Sequence, residues 1–115
     1  METVIDYHQQ ALAIRREIGY RQGEAADLGN LGNAYADLGQ VETAIDYYQQ
    51  ALAIDREIGY RQGEAADLNN LGMAYRDLGE IERARDHLTQ ALAIYEVIKS
   101  PAAEEVRGRL AELPE

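Results

Sequence analysis

Residues 24–40 read EAADLGNLGNAYADLGQ and residues 64–80 read EAADLNNLGMAYRDLGE, one phrase written twice at a spacing of forty. Within the first, Leu28, Leu31, Gly32, Tyr35 and Leu38 follow in steps of three, one, three and three. That is the stripe of one helix face, whereas a strand would alternate. Gly39 and Gly79 stand where a left-handed residue ends a helix. Working outward, residues 5–40 fall on 45–80 with 30 of 36 positions identical. The six differences are His8/Tyr48, Arg15/Asp55, Gly29/Asn69, Asn33/Met73, Ala36/Arg76 and Gln40/Glu80. A third copy opens at Ile81, holds through Ala91-Leu92-Ala93-Ile94 and decays after Ile98. Self-similarity at such a period marks stacked units that bury their apolar faces only against neighbours.

The other half of each period carries a second helical pattern. From Val41 to Ile58 it runs through Ala44, Ile45, Tyr48, Ala51, Leu52 and Ile58, a helix about 27 Å long at 1.5 Å per residue. Gly59 stops it as Gly19 stops its predecessor, and Tyr60-Arg61-Gln62-Gly63 is expected to turn the chain. Each unit is thus a hairpin of helix A (about 24–38, 64–78) and helix B (about 2–18, 41–58, 81–98). Ser100-Pro101, an N-cap with proline in the first turn, opens a short last helix over 101–113. Gly108 and Ala111 replace leucines there and Arg107 and Arg109 add charge, so it reads as a cap or truncated repeat. The expected fold is all-α: about five full helices plus a short C-terminal one, in a single repeat domain spanning 1–115, with repeats at 24–58 and 64–98.

Composition closes off several classes of function. The chain has 115 residues, 46% hydrophobic and 28% charged, enough for one folded core. It lacks cysteine, so a disulfide scaffold, a zinc ribbon and a cysteine nucleophile are excluded. Eleven basic against 21 acidic residues give a net charge of −10, the wrong sign for nucleic acid. The longest apolar run, Ala91 to Tyr95, is far too short to cross a membrane, and a cytoplasmic domain is expected. His8 has Val4 and Leu12 four residues away, and His87 has Arg83 and Ala91, so neither has a metal-ligand partner on its helix. Carboxylates are plentiful, but nothing marks a buried pair with divergent pKa values. No enzyme, metal or cofactor is expected.

The stretch Leu28-Gly29-Asn30-Leu31-Gly32-Asn33-Ala34-Tyr35 resembles the tetratricopeptide-repeat signature, with Leu28 in place of its tryptophan. Ala44, Tyr48 and Ala51 match the family's later small–aromatic–small spacing, and Leu68, Leu71, Gly72, Tyr75, Ala84, Leu88 and Ala91 repeat it. The period is forty rather than the usual 34, and no proline ends helix B at Arg56 or Glu96. The long repeat is similar to those of kinesin light chains and spindle-orientation adaptors, both peptide-binding scaffolds. The resemblance implies a right-handed α-solenoid with A helices lining the concave side and B helices outside. It also matches Asn30 and Asn70 to asparagines that grip a peptide main chain.

Read from the residues alone, helix A gives its core face to Leu28, Leu31, Tyr35 and Leu38. Gly32 and Gly72, with alanines 44, 51, 84 and 91, let helix axes approach closely. The opposite face offers Asn30, Asn33 and Asp37 in one copy, and Asn69, Asn70, Met73, Arg76 and Asp77 in the next. An amide both donates and accepts, which suits an extended peptide. These eight residues are the candidate peptide site; the plainer reading is that the asparagines bridge helices or face water. Arg76 is the sole cation among them, so a neutral or basic segment is the expected partner. Tyr7, Tyr20, Tyr47 and Tyr60 could offer a stacking platform, although Tyr20 and Tyr60 are expected to seal the turns. The alternative function is self-assembly, as a homo-oligomer joined through unpaired terminal helices. A third reading is that the chain is cut from a longer array.

Overall fold

The computed structural model describes residues 3–115 and consists of six α-helices joined by short connections. They are α1 (Val4–Ile18), α2 (Arg21–Asp37), α3 (Val41–Ile58), α4 (Arg61–Asp77), α5 (Ile81–Val97) and α6 (Ala102–Glu112). Each helix packs on the next in sequence, and α2 also reaches α4 across the hairpin between them. Helix A corresponds to α2, α4 and α6, and helix B to α1, α3 and α5. The all-α helical repeat read from the periodicity is the fold observed.

Local chemistry sets the helix ends. Thr3 and Asp6 form a reciprocal capping box at the start of α1, with Asp6 N–H donating to Thr3 Oγ1 at 3.2 Å and Thr3 N–H to Asp6 Oδ2 at 2.9 Å. At the other end Gly19 takes φ 74°, and Tyr20 N–H reaches back to the Arg15 carbonyl at 2.9 Å. The same wrap recurs at Gly39, Gly59 and Gly79, all with positive φ. One period after Gly59 the residue is Lys99, which adopts the same left-handed conformation at φ 59°. The N-cap of α6 is Pro101 rather than the expected Ser100, and Ser100 Oγ, one residue further back, accepts from Ala102 N–H at 3.2 Å.

Two further expectations need correction. Helix A begins at Arg21 and Arg61, three residues earlier than the pattern suggested, so the turns are only Gly19-Tyr20 and Gly59-Tyr60. Gly23 and Gly63 therefore lie in the first helical turn rather than in a loop. A Cβ at Gly23 would stand 2.8 Å from Arg15 Cδ, and one at Gly63 would stand 2.6 Å from Asp55 Oδ2. These glycines admit a side chain from the preceding B helix. Leu38 was expected in the core but is 62% exposed, because α2 has ended at Asp37 and its helical face no longer carries Leu38 inward.

The core follows the expected seams. Leu28, Leu31, Leu68, Leu71, Leu88 and Val106 are almost completely buried. A Cβ on Gly32 would meet Tyr48 Cε1 at 2.5 Å, and one on Gly72 would meet Leu88 Cγ at 2.6 Å. The two glycines are thus the sockets into which the B helices insert their largest side chains. Buried residues of α3, α4, α5 and α6 form one cluster, and a smaller one joins Leu12 of α1 to α2 and α3.

Candidate functional site

The face of α2 away from its core stripe looks across to α4, and between them lies a cleft of about 330 Å³. Asn30 and Asn33 line it from α2, and Asn70, Gly63 and Ala66 from α4. Tyr60 stands at one end, Gln22 and Gln62 add two further amides, and Asp55 and Asp67 are also in the wall. The cleft therefore gathers three of the eight anticipated site residues, Asn30, Asn33 and Asn70. It leaves out Asp37, Asn69, Met73, Arg76 and Asp77.

The reasons differ residue by residue. Asn33 lines the cleft but is tied down, since Tyr48 donates its hydroxyl to Asn33 Oδ1 at 2.6 Å. Burial pushes the Tyr48 hydroxyl up to about 12, so it stays a donor through neutral pH. Met73, the periodic equivalent of Asn33, is partly buried against the core instead. Asn69 turns its Oδ1 into a buried position without a partner. Arg76 bonds Asp77 at 3.1 Å, and Asp37 is exposed beyond the cleft. No side-chain hydrogen bond ties Asn30 or Asn70 among the described residues, and Asn30 is exposed.

Beneath the asparagines lies a feature opposite to expectation, a buried pair of carboxyl groups. Asp55 of α3 and Asp67 of α4 are 4% and 5% exposed and lie close enough for each to shift the other's titration. Asp55 Oδ1 and Asp67 Oδ2 have no hydrogen-bond partner. Removal from water pushes both carboxyl groups above the usual carboxylate range, and for Asp67 the proximity and charge of Asp55 push the same way. One period earlier the corresponding pair is Arg15 and Asp27, an ion pair at 3.5 Å. Burial raises Asp27 as well, but the Arg15 charge pulls it back. The signal in the sequence was the Arg15/Asp55 difference set against an aspartate retained at both 27 and 67.

The remaining charged groups near the turns are structural. Glu24 is held by Arg16 at 3.1 Å and Arg21 at 2.8 Å, and Glu64 is held identically by Arg56 and Arg61. Tyr47 stacks on Tyr35 with ring centroids 5.4 Å apart, and the Arg15 guanidinium lies 5.4 Å from the Tyr20 ring centre. His87 leans on Tyr75 and places Nδ1 2.7 Å from the Arg83 carbonyl. Among the described residues, no three His, Cys, Asp or Glu side chains form a metal-binding group, and no helix is long and apolar enough to cross a membrane.

The tetratricopeptide-repeat family matches residues 2–57 and 28–96, most of the sequence and in phase with the hairpins described. The chain belongs to the tetratricopeptide-repeat family. Tetratricopeptide repeats generally mediate contacts between proteins. No curated protein matches the chain. Among solved structures, the apo form of RapI aligns with a TM-score of 0.87 and 26% identity, over 92% of this chain and 39% of RapI. A putative kinesin light chain of Podosopora anserina, with nearly identical TPR-like repeats, aligns with a TM-score of 0.78 and 24% identity, over 93% of this chain and 54% of that one. The chain thus spans about two fifths of the length of RapI and little more than half of the other chain. The second likeness concerns fold alone.

Proposed function

We propose that this chain is a non-enzymatic interaction scaffold that holds an extended peptide segment of a partner protein against the α2–α4 face. The observation that carries the reading is the cleft between those helices, where Asn30 and Asn70 present unengaged amides from successive repeats. An extended peptide has unpaired N–H and C=O groups along both edges, and amides can answer both. The net charge of −10 favours a neutral or basic segment through steering of encounter. Asp37, Met73, Arg76 and Asp77 extend the same helices beyond the cleft, where they would meet flanking residues of the segment.

A second reading has its own observation. On α1, Val4, Tyr7, Ile14 and Ile18 are all more than half exposed. The equivalents of Val4 and Ile14, Ala44 and Ile54 on α3, are buried, so α1 presents an apolar stripe that a second copy could cover. The two readings separate by substitution. Selection from a displayed peptide library is expected to give binders that Asn30→Ala combined with Asn70→Ala weakens by about tenfold or more. Val4→Glu should leave them unaffected. Peptide affinity unchanged by the asparagine changes would overturn the groove reading. A light-scattering mass that rises with concentration, and returns to 12.8 kDa in Val4→Glu, would establish assembly through α1.

A further inference from the structure

The α2–α4 cleft has acidic groups and no cation. Its lining contains no arginine, lysine or histidine among the described residues. Arg56 and Arg61, next in sequence to the lining residues Asp55 and Tyr60, are both committed to Glu64. Asp55 and Asp67 are each more than nine-tenths buried, form part of the wall, and carry oxygen atoms with no partner. Buried acceptors left in this condition destabilise the fold unless something answers them.

The first repeat shows a cation beside the equivalent acceptor, as an ion pair without a hydrogen bond. In the first repeat the position of Asp55 is occupied by Arg15. Its guanidinium passes over Gly23, sits 5.4 Å from the Tyr20 ring and pairs with Asp27 at 3.5 Å. Every other part of that arrangement is retained in the second repeat: Gly63 for Gly23, Tyr60 for Tyr20 and Asp67 for Asp27. Only the cation is gone: the Asp55 carboxyl group lies over Gly63 in its place, and Asp55, Tyr60, Gly63 and Asp67 together border the cleft. One period later the space is closed instead, since Tyr95 and Val106 take the places of Asp55 and Ala66 and are buried in the core.

We propose that this corner is a subsite for a guanidinium group, an arginine side chain of the bound segment that enters between Asn30 and Asn70, lies against Tyr60 and pairs with Asp55 and Asp67. The assignment of the arginine to a peptide rests on the groove reading above; the subsite's chemistry does not. A planar guanidinium offers five donors in a fixed fork, enough to engage both carboxyl groups as they release their protons to solvent, and favours an aromatic face. A partner side chain would thus restore what Arg15 supplies internally in the first repeat.

The test is a titration of the isotope-labelled chain with Nα-acetyl-arginine methylamide, followed by amide chemical shifts. Nα-acetyl-citrulline methylamide, of the same shape without the charge, serves as the comparison. The arginine probe should shift Tyr60, Gly63 and Asn70, and citrulline should bind about tenfold or more weakly. Asp55→Arg provides the guanidinium internally, as the first repeat already does, and should fold while losing the response. Asp46→Arg makes the same change of charge on an exposed part of α3 and should keep it. Equal responses to both probes, shifts mapping elsewhere on the acidic surface, or persistence of binding in Asp55→Arg would each overturn the proposal. Arginine binding without any peptide binder would sink the groove reading alone; peptide binding indifferent to arginine would sink the subsite alone.

Discussion

Two carboxyl groups withdrawn from water beside each other cannot both ionise cheaply, and the pair formed by Asp55 and Asp67 has a consequence in stability. Both groups keep their protons to higher pH in the folded chain than an ordinary aspartate, which loses its own near about pH 4. Above that pH the native state binds more protons than the unfolded state, so stability declines as pH rises. The contribution is whole below about pH 4 and is lost as pH climbs through the raised values. Other acids follow their own course, so the comparison is with Asp67→Asn, which cannot ionise at this position. Thermal midpoints of the parent chain are expected to fall relative to Asp67→Asn between about pH 5 and about pH 9. A difference that stays flat across that interval would show that the pair is not held protonated.

At the level of the helix, two glycines of α2 three residues apart serve opposite ends. A Cβ at Gly29 meets nothing within 4 Å, and the second repeat already carries Asn69 there. At Gly32 it would stand 2.5 Å from a ring atom of Tyr48, which is 96% removed from solvent and bonded to Asn33. Gly29→Ala should therefore stabilise by up to about 1 kcal/mol through helix propensity alone. Gly32→Ala gains the same propensity but forces the α2–α3 seam apart, with an expected net loss of about 1–3 kcal/mol. Urea denaturation of both variants checks the pair, and effects of the same sign would contradict the packing described. The seam also explains a coordinated change between repeats. Tyr48 with Asn33 in one hairpin becomes Leu88 with Met73 in the next, so a bonded hydroxyl and amide give way together to two apolar groups.

Across the whole molecule, stability is distributed unevenly because each helix depends on its neighbours. Helices α3 and α4 are packed on both sides, whereas α1 contacts α2 and exposes Val4, Ile14 and Ile18. Its one buried side chain is Leu12. In a stacked array, opening proceeds from the units with the fewest neighbours. Native-state hydrogen exchange is expected to give α1 amides protection lower by about tenfold or more than those of α4. Equal protection in both helices would mean that α1 is held by contacts beyond α2, as in an assembly that covers its apolar stripe.

Much of this architecture is written in the linear pattern. The forty-residue period, the apolar stripe of Leu28 and Leu31, and the stops at Gly19, Gly39, Gly59 and Gly79 determine six helices and their pairing, because helix periodicity and left-handed termini are local properties. The pattern also put Asn30 and Asn70 on a shared face. It misplaced the helix starts, since Gly23 and Gly63 look like turn residues until the side chains above them are known. What tertiary structure alone decided is which side chains meet across helices. Asp55 and Asp67 lie on separate elements, and neither alternation nor spacing tells that their carboxyl groups are buried side by side. Burial and partnership depend on neighbours that the stack brings together, and those neighbours turn one Arg-to-Asp difference between repeats into a buried pair of carboxyl groups beside the cleft.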